Sequence, residues 1–258
     1  MIKVAVCGAA GRMGRLIIKQ VTQQKDMKLV AAIDEPHIPE GLKDAGELSG
    51  LGILGVKVTG AQKLKKVLKN TKADVLVDFT TTEAAVRNIK TAAEAGVDLV
   101  VGTTGFTSEQ LDQIEKTIKR KKIRAVISPN MSVGVNVFFK SVEKTAGLLG
   151  KNYDVEIVET HHVRKKDAPS GTAKRAAQII AKKLGKDEGD IKIKSIREGE
   201  VVGEHTVKFS RPEEHVEITH RAISRETFAV GAVKAIRYVV KKGKPGTIQN
   251  MQDVLGLG

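Results

Sequence analysis

The 258-residue chain is 41% hydrophobic and 29% charged, which suits a packed soluble fold and excludes disorder as the default. No apolar run approaches the ~20 residues that cross a bilayer, and a single cysteine, Cys7, excludes an intramolecular disulfide and fits a reducing, cytoplasmic setting. The net charge of +14 is spread along helical stretches such as 63–72 and 116–122, and aromatics are only 3%, so neither nucleic acid nor membrane is the expected partner.

Ile2–Cys7 is a short apolar run that predicts a strand, followed by a glycine turn and an amphipathic helix from Arg12 to about Gln24. A second strand is expected at 29–33, then a Gly- and Pro-rich loop with short elements over 35–59. Helices at 61–70, 83–95 and 108–121 alternate with strands at 74–79, 99–101 and 125–127. Strands separated by helices imply a parallel sheet covered on both faces, an α/β arrangement. Beyond Met131 the pattern changes: a helix over 133–149, an alternating run at 154–160, a helix over 172–184, then strand-like runs at 191–196, 204–209 and 216–220 with no helices between them. That reads as a smaller α+β domain over 131–225. A last helix, 228–241, and a closing segment at 254–255 return to the first domain, which then comprises 1–130 and 226–258.

Gly8-Ala9-Ala10-Gly11-Arg12-Met13-Gly14 follows the first strand and opens a helix. Such glycines permit a tight turn and close approach of the backbone to a pyrophosphate, which the helix start then faces. Asp34 ends the second strand, where a carboxylate accepts the ribose hydroxyls of an adenosine. Glu35 follows it, and two carboxylates repel a 2′-phosphate; NADH is therefore the preferred cofactor and NADPH a possible one, with Arg12 the nearest softening cation. Asp78-Phe79-Thr80, Gly102-Thr103-Thr104 and Ser128-Pro129-Asn130-Met131 stand at or just past the carboxyl ends of strands, where ligands of open parallel sheets bind.

The stretch 159–173 holds two adjacent histidines, two lysines and a Pro-Ser-Gly-Thr turn opening a helix. His161 continues the face of Val155 and Ile157, and His162 takes the other. Ser170 is placed to cap the helix, leaving the N–H groups of Gly171 and Thr172 for a carboxylate. No zinc is expected, because cysteine is absent nearby and no third ligand has suitable spacing. Glu204, His205, Glu217 and His220 read as structural residues of the second domain.

Together the strings VAVCGAAGRMG, VGTTGF, NMSVGVN, HHVRKKDAPSGTA and VGEHTV resemble, in order, the 4-hydroxy-tetrahydrodipicolinate (dihydrodipicolinate) reductase family of the diaminopimelate–lysine pathway. The resemblance implies a Rossmann-like cofactor domain and a substrate domain that builds a homotetramer. It further implies a small cyclic dicarboxylate substrate, His161 as the proton donor and Lys165 as a second catalytic group. Gly8, Ala9, Ala10, Gly11, Arg12, Met13, Asp34, Gly102, Thr103, Thr104, Ser128, Pro129, Asn130 and Met131 would contact the dinucleotide; His162, Lys165, Gly171 and Thr172 would hold the substrate carboxylates. One departure stands out: only Arg197-Glu198-Gly199-Glu200 lies where many relatives carry a long insertion, so the tetramer contacts and part of the cleft rim are open. Two other readings compete, an amino-acid or semialdehyde dehydrogenase on the same two-domain plan and a dinucleotide sensor without catalysis.

Overall fold

The computed structural model describes residues 1–35 and 43–257. Most of the first part of the expected 35–59 loop, and Gly258, lie outside the described residues. The chain divides into two units, Met1–Ser132 with Glu226–Gly256, and Val133–Arg225 with Leu257.

In the first unit the elements run β1 (Ile2–Cys7), α1 (Arg12–Thr22), β2 (Met27–Asp34), α2 (Ala45–Leu48), β3 (Val58–Gly60), α3 (Leu64–Thr71), β4 (Val75–Asp78), α4 (Thr82–Ala95), β5 (Asp98–Val101), α5 (Ser108–Lys121) and β6 (Ala125–Ile127). After the second unit the chain returns with α8 (Glu226–Lys242), β11 (Ile248–Gln249) and α9 (Met251–Leu255). Among the described residues the strands form one parallel sheet in the order β11-β6-β5-β4-β1-β2-β3. This is the Rossmann-like α/β plan, whose direction of winding reverses between β1 and β4. A sheet covered on both faces needs strands apolar on both faces, and β4 and β5 are buried throughout.

Helix starts follow local chemistry. Thr81 caps α4 by accepting from the Ala84 amide, and Thr107 forms a capping box with Gln110 at α5. On one face of the sheet Ile17, Ile18 and Val21 of α1 join Ala229, Ala232, Ile236 and Val239 of α8 in a single core. Each large side chain buried there contributes about 1.5–3 kcal/mol. α8 approaches so closely that a Cβ on Gly231 would lie 1.7 Å from the Met131 carbonyl oxygen. Beside that contact, Ser132 Oγ and Thr227 Oγ1 are 3.2 Å apart, where the chain leaves this unit and where it comes back.

The two-residue β11 is absent from the sequence expectation, because two residues carry no readable period. The expected closing segment is in fact the end of α9, which Asn250 and Asp253 start with a capping box. The first turn of the helix expected from residue 61 is a 3₁₀ turn, Ala61–Lys63.

The second unit contains α6 (Val133–Leu149), β7 (Asp154–His161), α7 (Gly171–Leu184), β8 (Lys192–Arg197), β9 (Gly203–Arg211) and β10 (Glu214–Ala222). Its sheet is mixed, in the order β10-β9-β7-β8, with β7 parallel to β8 and antiparallel to β9. Phe138, Phe139 and Val142 of α6 pack with Ile180 of α7, Ile157 and Phe209 in its core. β7 is thus an inner strand, and its alternating side chains are buried from Val155 to His161.

Candidate active site

In the first unit the glycine turn sits at the carboxyl end of β1. Gly8 has φ +74°, and a Cβ on it would lie 2.9 Å from the Phe79 carbonyl oxygen. A Cβ on Gly14 would lie 2.0 Å from the Gly8 carbonyl oxygen, so the helix can start this close to the turn only with glycine there. Asp34 accepts from the Ala10 amide through Oδ2 at 2.6 Å and from the Glu35 amide through Oδ1 at 2.7 Å. Its carboxylate therefore stands directly over the turn.

A cavity of about 250 Å³ opens beside it, with Gly8, Gly11, Asp34 and Glu35 on one side and Ile33, Ala61, Phe79 and Ala84 supplying apolar walls. Its size and mixed lining suit an adenosine. A neighbouring space of about 400 Å³ shares Glu35, Ala61, Ala84 and Asn88 and adds Lys65 and Arg87. Phe79 was expected at this strand end, whereas Ala84, Lys65 and Arg87 were not, since they come from α3 and α4.

Behind the cavity lies a buried hydrogen-bond centre. Asp78 is 0% exposed; its Oδ1 accepts from the Thr80 amide (3.1 Å), Thr80 Oγ1 (2.7 Å) and Thr103 Oγ1 (3.0 Å), and its Oδ2 from Asn88 Nδ2 (2.8 Å). These bonds tie the ends of β4 and β5 together beside the glycine turn. Gly102 has no side chain because the Phe79 ring lies where one would be, 2.2 Å from the position of a Cβ.

The remaining residues expected at the dinucleotide are spread in depth. Gly11, Arg12, Thr104 and Pro129 are exposed, Gly8, Ala10, Met13, Gly102 and Asn130 half-buried, and Ala9, Thr103, Ser128 and Met131 buried. Met131 is 1% exposed and belongs to the core against α8. Asn130 Oδ1 accepts from the Ser132 amide, and Ser128 Oγ donates to the Asn130 carbonyl, which shapes the turn after β6.

In the second unit the 159–173 segment assembles around Glu159, which sequence reasoning passed over. Glu159 is 0% exposed. Its Oε1 accepts from the Ser170 amide (3.1 Å) and from Arg197 Nη2 (3.0 Å), and its Oε2 lies 2.8 Å from His161 Nδ1. Burial alone would raise this carboxyl; hydrogen bonds from Ser170, Ser195 and Arg197 outweigh it and hold the pKa at about 2. His161 is 8% exposed. Burial pushes its imidazole below the ordinary range, Glu159 opposes that, and Lys165 and Arg197 add to it.

His205, read from sequence as structural, stands edge-on to His161 with ring centroids 5.0 Å apart and bonds through Nε2 to Ser170 Oγ at 3.1 Å. Burial, then the neighbouring His161, keep it neutral down to about pH 3. The clue available in the sequence was parity, since Glu159 is two residues before His161 on the same strand face.

Ser170 caps α7 as expected, accepting from the Ala173 amide. The first turn of α7 places Gly171 at the surface and Thr172 half-buried. Lys165 donates to both oxygens of Asp167, at 2.7 and 2.8 Å. His162, just past the end of β7, pairs through Nε2 with Arg225 Nη2 at 3.4 Å. The short 198–202 link folds back on this segment: the His162 amide donates to the Val201 carbonyl, and the Val163 amide to the Gly199 carbonyl.

The spacing argument against a third metal ligand fails here, because Glu159, His161 and His205 bring ligand atoms within 4.8 Å of one another. Arg197 already occupies the same carboxylate, and Lys165 stands close enough to act on both rings. Those cations oppose a divalent ion and favour an anionic ligand.

Residues 2–131 match the family model described as "Dihydrodipicolinate reductase, N-terminus", and residues 134–255 match "Dihydrodipicolinate reductase, C-terminus". The chain is 53% identical to a 4-hydroxy-tetrahydrodipicolinate reductase of Methanocaldococcus jannaschii, over 100% of this chain and 98% of that one. It is 50% identical to the protein of the same name from Methanosarcina mazei, over the full length of both. Among solved structures it is similar to a dipicolinate-bound dihydrodipicolinate reductase from Paenisporosarcina sp. TG-14, with a TM-score of 0.79 and 27% identity over 98% of each chain. An amine dehydrogenase from Mycobacterium smegmatis, 15% identical with a TM-score of 0.60 over 95% of this chain and 94% of that one, shares the fold alone.

Proposed function

Because the chain belongs to the dihydrodipicolinate reductase family, we propose that it reduces 4-hydroxy-tetrahydrodipicolinate to tetrahydrodipicolinate with NAD(P)H, in diaminopimelate and lysine biosynthesis. The observation that carries this reading is the cluster at the junction of β7 and α7. A buried imidazole, a lysine and a capped helix start lie within one short segment. That set suits a cyclic dicarboxylate, the chemistry of the dipicolinate bound by the solved relative.

The glycine turn, where any side chain at Gly14 would strike the backbone, fits a dinucleotide. When bound, reduced nicotinamide supplies the hydride. Ala9, Ala10, Gly11, Arg12 and Met13 would line the pyrophosphate, and Asp34 the adenosine ribose. Asp34 and Glu35 favour NADH, and Lys65 and Arg87 at the adjoining space support acceptance of NADPH. Gly102 to Thr104 and Ser128 to Met131 would position the far end of the cofactor.

On the substrate side, the amides of Gly171 and Thr172 would receive one carboxylate with the α7 dipole behind them. His162 and Lys165 would hold the remaining charge. His161 would protonate the carbon next to the reduced one. The resting imidazole is kept neutral by burial, and a dianion beside it raises its proton affinity, so the donor is charged when substrate is present. The same reading places the protein in the cytoplasm as a homotetramer. Val216, an exposed apolar side chain of β10, supports association through that strand.

The test is a spectrophotometric assay with freshly prepared substrate and each nicotinamide in turn. Turnover with both, faster with NADH, is expected; His161→Gln should lower kcat by about 10² with cofactor affinity kept. NADH binding without turnover on the cyclic imine would overturn the reading.

A further inference from the structure

We propose that Glu159 is the positioning residue for His161: its buried carboxylate holds the imidazole at Nδ1, leaves Nε2 to deliver the proton, and supplies the counter-charge of the protonated ring. The proposal rests on His161 being the proton donor.

The two residues sit two apart on β7, so their side chains share a face. Oε2 is 2.8 Å from Nδ1, in a bent contact, and neither atom has a hydrogen-bond partner elsewhere among the described residues. Oε1 is fixed from behind by the Ser170 amide and Arg197. The carboxylate is thus already anchored as the anion without His161, and its second oxygen is left facing the ring. At the opposite edge of the ring a Cβ on Gly203 would lie 3.0 Å from Nε2, so glycine there keeps a side chain of its own off this nitrogen.

The charges around the ring set how readily it takes a proton. Arg197 on β8 and Lys165 after β7 disfavour protonation; Asp167 favours it but is engaged by both oxygens with Lys165; His205 on β9 is neutral. Glu159 is the anion in contact. Without its charge the ring faces a net positive field in a buried place, where such interactions are strong.

The test uses the full chain. In the parent protein, nitrogen NMR of His161 should find the neutral ring protonated at Nδ1; a ring protonated at Nε2 would overturn the proposal with no variant needed. Glu159→Gln should move the high-pH fall of kcat to lower pH by about one unit, a roughly tenfold loss of kcat above that limb, with KM for the cyclic substrate little changed. Glu159→Asp, which keeps the charge, should restore the limb toward its parental position. A parental limb in folded Glu159→Gln overturns the role of Glu159 while leaving His161 as donor. Near-normal turnover in His161→Gln overturns the donor reading itself, so the two failures are told apart.

Discussion

Replacing Asp78 by Asn tests the buried centre that ties β4 to β5. The substitution is isosteric, and the amide oxygen of Asn can still accept from Thr80 and Thr103. Its amide nitrogen, however, must face Asn88 Nδ2 at the present 2.8 Å, donor against donor. A hydrogen bond to a charged acceptor, worth ~1.5–3 kcal/mol, is lost, and the orphaned donors cost ~1–3 kcal/mol more. Relief from burying a charge returns part of that, so Asp78→Asn should cost about 2–3 kcal/mol. For a chain of this size that is a fall of roughly 5–10 °C in Tm. The double variant Asp78→Asn with Asn88→Asp exchanges the partners and restores a complementary pair. It should recover more than half of the loss, which urea unfolding of the parent, both single variants and the double variant would measure as a coupling energy. Additive losses, or a double variant less stable than Asp78→Asn alone, would refute the account of this centre as a directed hydrogen-bond pair.

Gly14→Ala should leave the sheet folded but weaken NADH binding at least tenfold by calorimetry, because the new methyl group displaces the turn at Gly8. Gly231→Ala should cost about 1–3 kcal/mol in urea unfolding, since α8 must retreat from the Met131 carbonyl. Stability should fall with acid. The unfolded chain protonates His205 near pH 6.5, the folded one near 3, and Glu159 titrates at 4.5 unfolded and about 2 folded, so both contributions are complete above those unfolded values and lost as pH drops toward the folded ones. Urea midpoints at pH 7 and pH 5 should differ in that direction, and His205→Asn should reduce the difference; an unchanged pH dependence in that variant would contradict it. Glu200→Gln should leave the urea midpoint unchanged, because its pairing with Arg164 is exposed on both sides.

The presence of most elements could be read from periodicity, and for Ser108–Lys121 and Ala125–Ile127 their limits too, since parallel strands and amphipathic helices imprint distinct repeats. The glycine turn, the position of Asp34 at the end of β2 and the Ser170 cap were legible for the same reason: each follows from local geometry. Glu159 and His205 were not. Along the chain they are polar residues in alternating strands, and their roles arise only once β7 lies between β8 and β9. That pairing sets Glu159 opposite His205 and brings Arg197 of β8 to its carboxylate. Asp78 was seen as a strand end, but its bond to Asn88 needs α4 folded back onto β4.

The 3.2 Å between Ser132 and Thr227 means that ninety-odd intervening residues begin and finish at nearly one point of the host fold. A cassette mounted this way places no demand on the scaffold beyond two neighbouring attachment points. Exchange of one inserted lobe for another, with the host sheet untouched, is therefore a short genetic step in this architecture.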